Sequence, residues 1–97
     1  MEVTVGVGPD KFVLAQNYPN PFNPSTVIEF VVPTSGFATL KVYNVIGQEV
    51  AALFEGIAEG GSVYAVRFEG SNMPSGVYFY RLRSGGTVET KRMLLVK

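Results

Sequence analysis

Apolar residues in this chain recur at every second position, and glycine or proline breaks the pattern at intervals of roughly ten residues. A period of two puts one face of a segment against a core and the other in water, which is the repeat of a strand and not of a helix. No window of a dozen residues sustains the ~3.6-residue stripe of an amphipathic helix. Gln48 to Ile57 comes nearest, with Val50, Leu53, Phe54 and Ile57 at helical spacing. That segment lacks a good N-cap and is closed by Gly56, so it reads as a strand.

Seven strands follow: Phe12 to Gln16, Ser25 to Val32, Phe37 to Tyr43, Glu49 to Phe54, Val63 to Glu69, Val77 to Arg83 and Thr87 to Val96. Alternation assigns faces. Ile28 and Phe30 share one, Ala38, Leu40 and Val42 turn inward, and Tyr64, Val66 and Phe68 lie together. Tyr78, Tyr80 and Leu82 oppose Arg81 and Arg83. Between the first two strands, Pro19, Pro21 and Pro24 cannot donate ladder hydrogen bonds and push their predecessors to extended geometry. The run Asn17 to Pro24 is therefore a fixed, irregular crossover, with Tyr18 and Phe22 expected to pin it to the core. Asn44-Val45-Ile46-Gly47 reads as a hairpin connection in which Gly47 takes a positive φ. Gly56 to Ser62 reads as a loop, Gly70 to Gly76 as a corner, and Ser84-Gly85-Gly86 as a tight turn. Val3 to Asp10 alternates briefly before breaking, as a frayed strand or a linker would. Seven short strands in 97 residues predict an all-β, immunoglobulin-like, seven-stranded antiparallel β-sandwich. The last two strands are expected to leave an open edge, through which isolated copies would pair.

Composition supports one domain with one core. Of the residues, 46% are hydrophobic and 16% charged, with eight acids against eight bases. A balanced charge gives no basic excess for a nucleic acid. The balance hides a polarity. Residues 1–80 carry seven acids and three bases, a net of −4; residues 81–97 carry five bases and one acid, a net of +4. Such an end is either a recognition handle or an ordinary solvated strand.

Chemistry is scarce. The chain has no histidine and no cysteine, which removes the usual general base, thiol nucleophile and soft metal ligands. Asp10 is the one aspartate, too few for a stacked calcium loop, and the acids are scattered singly. Every serine falls at a turn, where hydroxyls cap backbone groups. Gly6-Val7-Gly8 opens no helix and reads as a spacer. The sequence thus predicts no catalytic residue, no cofactor or metal site, and no small-molecule substrate. Tyr43, Tyr64, Tyr78 and Tyr80 are read as core or corner residues in preference to a sugar platform, and Tyr78 or Tyr80 as a tyrosine corner. No segment reaches the ~20 apolar residues of a membrane helix. Met1-Glu2-Val3-Thr4-Val5 lacks the basic and apolar regions of a secretory leader, so an export signal is expected elsewhere.

Three stretches carry a family likeness. Leu14-Ala15-Gln16-Asn17-Tyr18-Pro19-Asn20-Pro21-Phe22-Asn23-Pro24-Ser25-Thr26 resembles the opening of the C-terminal sorting domains of the bacterial type IX secretion system. Val42 to Val50 is similar to that family's central hairpin. Pro74-Ser75-Gly76-Val77-Tyr78-Phe79-Tyr80-Arg81-Leu82, then Gly85-Gly86, then Lys91 to Lys97, resembles its closing signature. The likeness runs over residues 12–97, in order and spacing.

What the resemblance implies is a non-catalytic signal on a secreted cargo. Residues 1–11 would be a linker or junction to a covalently attached upstream cargo, and 12–97 the sorting domain. Partners would be the outer-membrane translocon and a sortase-type surface protease, which cuts ahead of Phe12 and joins the cargo to an anionic lipopolysaccharide. The protein would pass through the periplasm to the cell surface or medium. Translocon recognition would rest on Pro74, Gly76, Tyr78, Arg81, Leu82, Gly85, Lys91, Arg92 and Lys97. The same strand pattern also suits a structural or interaction module, a spacer or a hook-capping-like assembly domain. In that reading the glycine serves only the turn and the lysines only solubility.

Overall fold

The computed structural model describes residues 11–97; the expectations for Val3 to Asp10, including the Gly6-Val7-Gly8 spacer, lie outside them. Seven strands form, as the periodicity requires: β1 (Val13–Leu14), β2 (Ser25–Val31), β3 (Gly36–Tyr43), β4 (Glu49–Ala58), β5 (Tyr64–Glu69), β6 (Gly76–Ser84) and β7 (Thr87–Leu95). They make two antiparallel sheets, β1-β2-β5 and β4-β3-β6-β7, in an immunoglobulin-like sandwich. The inner faces meet in one core. Ile28 and Phe30 of β2 and Phe68 of β5 close against Ala38, Leu40 and Val42 of β3, Tyr78, Tyr80 and Leu82 of β6, and Met93 and Leu95 of β7.

β4 differs from expectation, and the register explains it. It runs on to Ala58, and Gly56 pairs with Ala38 inside the strand, so the expected loop begins only at Glu59. Against β3 the pairing steps from Leu40↔Phe54 to Lys41↔Ala52 and from Val42↔Ala51 to Tyr43↔Glu49. Leu53 and Val50 are thus the extra residues of two bulges. Each bulge resets the alternation, and the resulting burial of Val50, Leu53 and Phe54 imitates a helical stripe.

The crossover differs too. β1 is only two residues long. Phe22 is buried, its ring edge-on to Phe68 at 5.8 Å, as expected. Tyr18 is 81% exposed and pins nothing with its ring; its backbone holds the crossover instead, exchanging two 3.0 Å hydrogen bonds with Val27. The crossover also covers the C-terminal half of the β7 edge that was expected to stand open; its hydrogen bonds do not reach Thr87 to Lys91. The Phe22 amide donates to the Leu94 carbonyl and the Val96 amide to the Phe22 carbonyl, both at 2.9 Å. Asn20 Oδ1 accepts from the Leu94 amide at 3.0 Å, and Gln16 Nε2 donates to the Arg92 carbonyl at 2.7 Å. An edge satisfied this way from Arg92 to Val96 is no template for a second strand.

Three of the four strand tyrosines pack as core or corner residues, whereas Tyr43 lies on the outer face of the four-stranded sheet beneath Arg81. Tyr64 stacks on Phe30 at 5.2 Å and meets Phe54 edge-on, while Tyr78 and Tyr80 are buried. Tyr78 donates to the Pro74 carbonyl four residues upstream at 2.7 Å, which makes it the tyrosine corner. Tyr80 reaches the crossover, donating to the Ala15 carbonyl at 2.7 Å and accepting from the Asn17 amide at 2.8 Å.

Candidate functional site

Strand alternation distributes the nine residues that the sequence singles out. Tyr78 and Leu82 point into the core, 5% and 0% exposed, so no partner touches them on the folded domain. Arg81 faces outward from the same strand. Arg92, the partner of Phe79, shares that outer face, whereas Lys91 pairs with Tyr80 and sits half-buried on the opposite one, beside Glu89 at 3.8 Å. Gly76 and Gly85 stand at opposite ends of β6, a strand of nine residues, about 30 Å apart at the rise of a strand. Pro74, Gly76 and Lys97 come together at one end. There the Lys97 amide donates to Ser75 Oγ at 3.1 Å, and its ammonium donates to the Ser71 carbonyl.

That end of the sandwich brings the hairpin stretch and the closing stretch together around an open surface. The hairpin between β3 and β4 is held by Asn44. Its Oδ1 accepts from the amides of Ile46 at 3.1 Å and Gln48 at 2.9 Å, and its Nδ2 donates to Gln48 Oε1 at 2.9 Å. Gly47, at φ 87°, closes the turn as expected. This scaffold thrusts Val45 and Ile46 into solvent, 68% and 74% exposed. Opposite them the corner is fixed by the Tyr78 hydroxyl on Pro74, by the Met73 amide on the Gly70 carbonyl at 3.0 Å, and by the Gly70 amide on the Pro24 carbonyl at 2.8 Å. Gly76 starts β6 at φ +150°, a conformation that side chains disfavour, with open space where a Cβ would stand. Its glycine therefore serves the backbone path. Between hairpin and corner lies an open groove of about 360 Å³, lined by Val45, Ile46, Val50, Met73, Pro74 and Val77 among others.

A family model described as "Secretion system C-terminal sorting domain" matches residues 16–97. The chain belongs to this family. The domain is thus a C-terminal sorting signal for type IX secretion, which directs export to the cell surface or the extracellular space through that system's machinery. The match selects the sorting reading over the spacer and assembly readings. No curated protein and no solved structure matches the chain.

The surface of the sorting domain offers shape and charge. Among the described residues no three acidic side chains gather as a metal site would require. Ser71 donates to Glu69 at 2.9 Å and Ser84 to the Phe37 carbonyl at 3.3 Å, so both hydroxyls serve local structure. On the outer face of the four-stranded sheet Lys41 lies 3.3 Å from Glu49 and 3.6 Å from Glu55, and the Glu49 carboxylate, by hydrogen bond and charge, raises its pKa above the ordinary lysine value. The Arg81 guanidinium lies over the Tyr43 ring, 4.9 Å from its centre, and its Nε donates to Thr90 Oγ1 at 3.3 Å. Sequence reasoning does not single out Val45, Ile46 or Met73. Two adjacent β-branched apolar residues at a hairpin tip, where polar turn residues are usual, were the available signal.

Proposed function

We propose that the type IX translocon recognises the folded end of the domain built by the Asn44–Gly47 hairpin, the Gly70–Gly76 corner and Lys97. One observation carries this reading: stretches far apart in the chain converge on one rigid, exposed apolar groove there. Apolar side chains held out by a hydrogen-bonded scaffold are preorganised for a partner and lose little entropy on binding. Pro74, Gly76, Tyr78 and Lys97 act at this end, Tyr78 from below through its bond to Pro74. Leu82 acts only through the core. Gly85 and Lys91 lie away from this groove and Arg92 stands on the outer sheet face, whereas Arg81 borders the hairpin, lining a second small pocket with Val45 and Gly47.

The placement also suits a signal joined to a cargo. β1 pairs with the far end of β2, Val13 against Val31, so the chain comes in at the end of the 43 Å domain opposite the groove. A cargo ahead of Phe12, linked through residues 1–11, leaves the groove clear during periplasmic transit. A sortase-type surface protease then reaches the bond ahead of Phe12 without disturbing residues 12–97, a module that itself does no chemistry. Photo-crosslinking tests the reading. A crosslinker at Ile46 is expected to capture an outer-membrane component of the secretion system, and one at Gly85 is not. Equal capture at both ends, or none at Ile46, contradicts it.

A further inference from the structure

Along β6 and β7 the outward positions are Val77, Phe79, Arg81 and Arg83, paired with Leu94, Arg92, Thr90 and Val88. Three are arginines and none is an acid. Arg81 and Arg83 stand two residues apart on one strand, about 7 Å, with Arg92 diagonal to Arg81 across the ladder. No carboxylate pairs with any of them among the described residues, because the nearby Glu49 and Glu55 hold Lys41. Stacking on Tyr43 and the bond to Thr90 hold the Arg81 guanidinium across the outer face of the sheet. The aliphatic side chains of Val88 and Leu94, 44% and 39% exposed, flank the arginines on the same face. The outer face of the other sheet has the opposite balance, with Glu29 and Glu69 against Arg67.

We propose that this β6–β7 face docks the domain on an anionic lipid surface, a contact beyond the groove's partner on a face that meets the groove at Val77. Charge complementarity and shape argue for a membrane. Guanidiniums suit bidentate bonds to phosphate oxygens, and all three stand at neighbouring positions on one sheet face. Val88 and Leu94 then reach the boundary between headgroups and chains, a use that a soluble acidic partner does not give them. With the sheet lying on the membrane, the strand axes run parallel to it and the groove opens sideways toward proteins embedded beside the domain.

Vesicle co-sedimentation of the 97-residue chain is the test, using phosphatidylcholine alone and phosphatidylcholine with phosphatidylglycerol. The chain is expected to bind the anionic vesicles only, and binding weakens with salt. Each of Arg81→Gln, Arg83→Gln and Arg92→Gln is expected to lower partitioning on the order of fivefold, Arg67→Gln to leave it unchanged, and Leu94→Ser to lower the part that survives high salt. The variant carrying all three substitutions is expected to lose binding; should it misfold by circular dichroism, the Arg83→Gln/Arg92→Gln pair, which leaves the Tyr43 stack intact, gives the same answer. Equal binding to both vesicle types, or unchanged binding after loss of the arginines, overturns the proposal. So does binding of polyglutamate with no binding to anionic vesicles, which would assign the face to an acidic protein.

Discussion

The Tyr80 hydroxyl accepts a hydrogen bond from the backbone amide of Asn17 at 2.8 Å, across 63 residues of sequence and across the two sheets. The same hydroxyl donates to the Ala15 carbonyl, while Asn17 Nδ2 donates to Thr26 Oγ1 at 3.0 Å and to the Pro19 carbonyl at 3.1 Å. These bonds satisfy an irregular, proline-broken crossover that cannot satisfy itself by a ladder. Tyr80→Phe leaves the buried Asn17 N–H and the half-buried Ala15 C=O without a partner and is expected to cost about 1–3 kcal/mol. Tyr78→Phe, which loses one bond at the partly buried corner, costs about 0.5–1.5 kcal/mol. Urea unfolding of the two variants checks the order.

Burial pushes the Tyr80 hydroxyl up to about 12, a rise that the Asn17 bond moderates and the Glu89 charge reinforces. In the unfolded chain a tyrosine ionises near pH ~10. Below that value both states keep the proton and the stability is whole. Above it the unfolded state ionises first, so stability falls as pH rises from about 10 through the folded value of about 12. Unfolding midpoints across this range are expected to drop more steeply for the wild type than for Tyr80→Phe. Parallel slopes would remove Tyr80 from the explanation.

Gly60 lies where chain segments touch. A Cβ there would stand 2.7 Å from the Pro33 carbonyl oxygen and 3.0 Å from the Ser35 amide nitrogen, both backbone atoms that cannot swing aside. Gly60→Ala is expected to destabilise by about 1–3 kcal/mol, whereas Gly56→Ala, with nothing within 4 Å, is expected to be neutral or slightly stabilising. Thermal unfolding separates the two.

Phe22 and Tyr18 share the crossover but not its burden. Phe22→Ala empties a site against Phe68 and loosens the segment that edges β7, at a cost of about 3–5 kcal/mol. Tyr18→Ala removes an exposed ring and is expected to stay within about 0.5 kcal/mol. Hydrogen exchange at the Leu94 and Val96 amides should accelerate in the first variant only.

Strand number and inward residues were legible because two faces with different solvents impose a period of two. Ala38, Leu40 and Val42 illustrate it. β4 was misjudged at its end because the bulges at Leu53 and Val50 are properties of a pairing, and β3 is far from visible in β4's own letters. Tyr18 was misjudged because aromatic character alone does not say which way an irregular segment turns. The candidate site was half legible. Pro74, Gly76 and Lys97 stood out, but their meeting with Val45 and Ile46 depends on which strand ends share one end of the sandwich. The arginine face was visible only as a charge imbalance until the register separated Arg81, Arg83 and Arg92 from Lys91.

The groove's role in sorting is tested most directly by a reporter fused ahead of the domain in a bacterium with a working type IX system. Val45→Asp/Ile46→Asp changes two exposed side chains and leaves the Asn44 scaffold in place. The fraction of reporter at the surface and in the medium, against that held in the periplasm, is the measurement. The wild-type fusion is expected outside, and the double variant trapped inside with its fold intact by circular dichroism. Equal delivery of both would contradict recognition through this end.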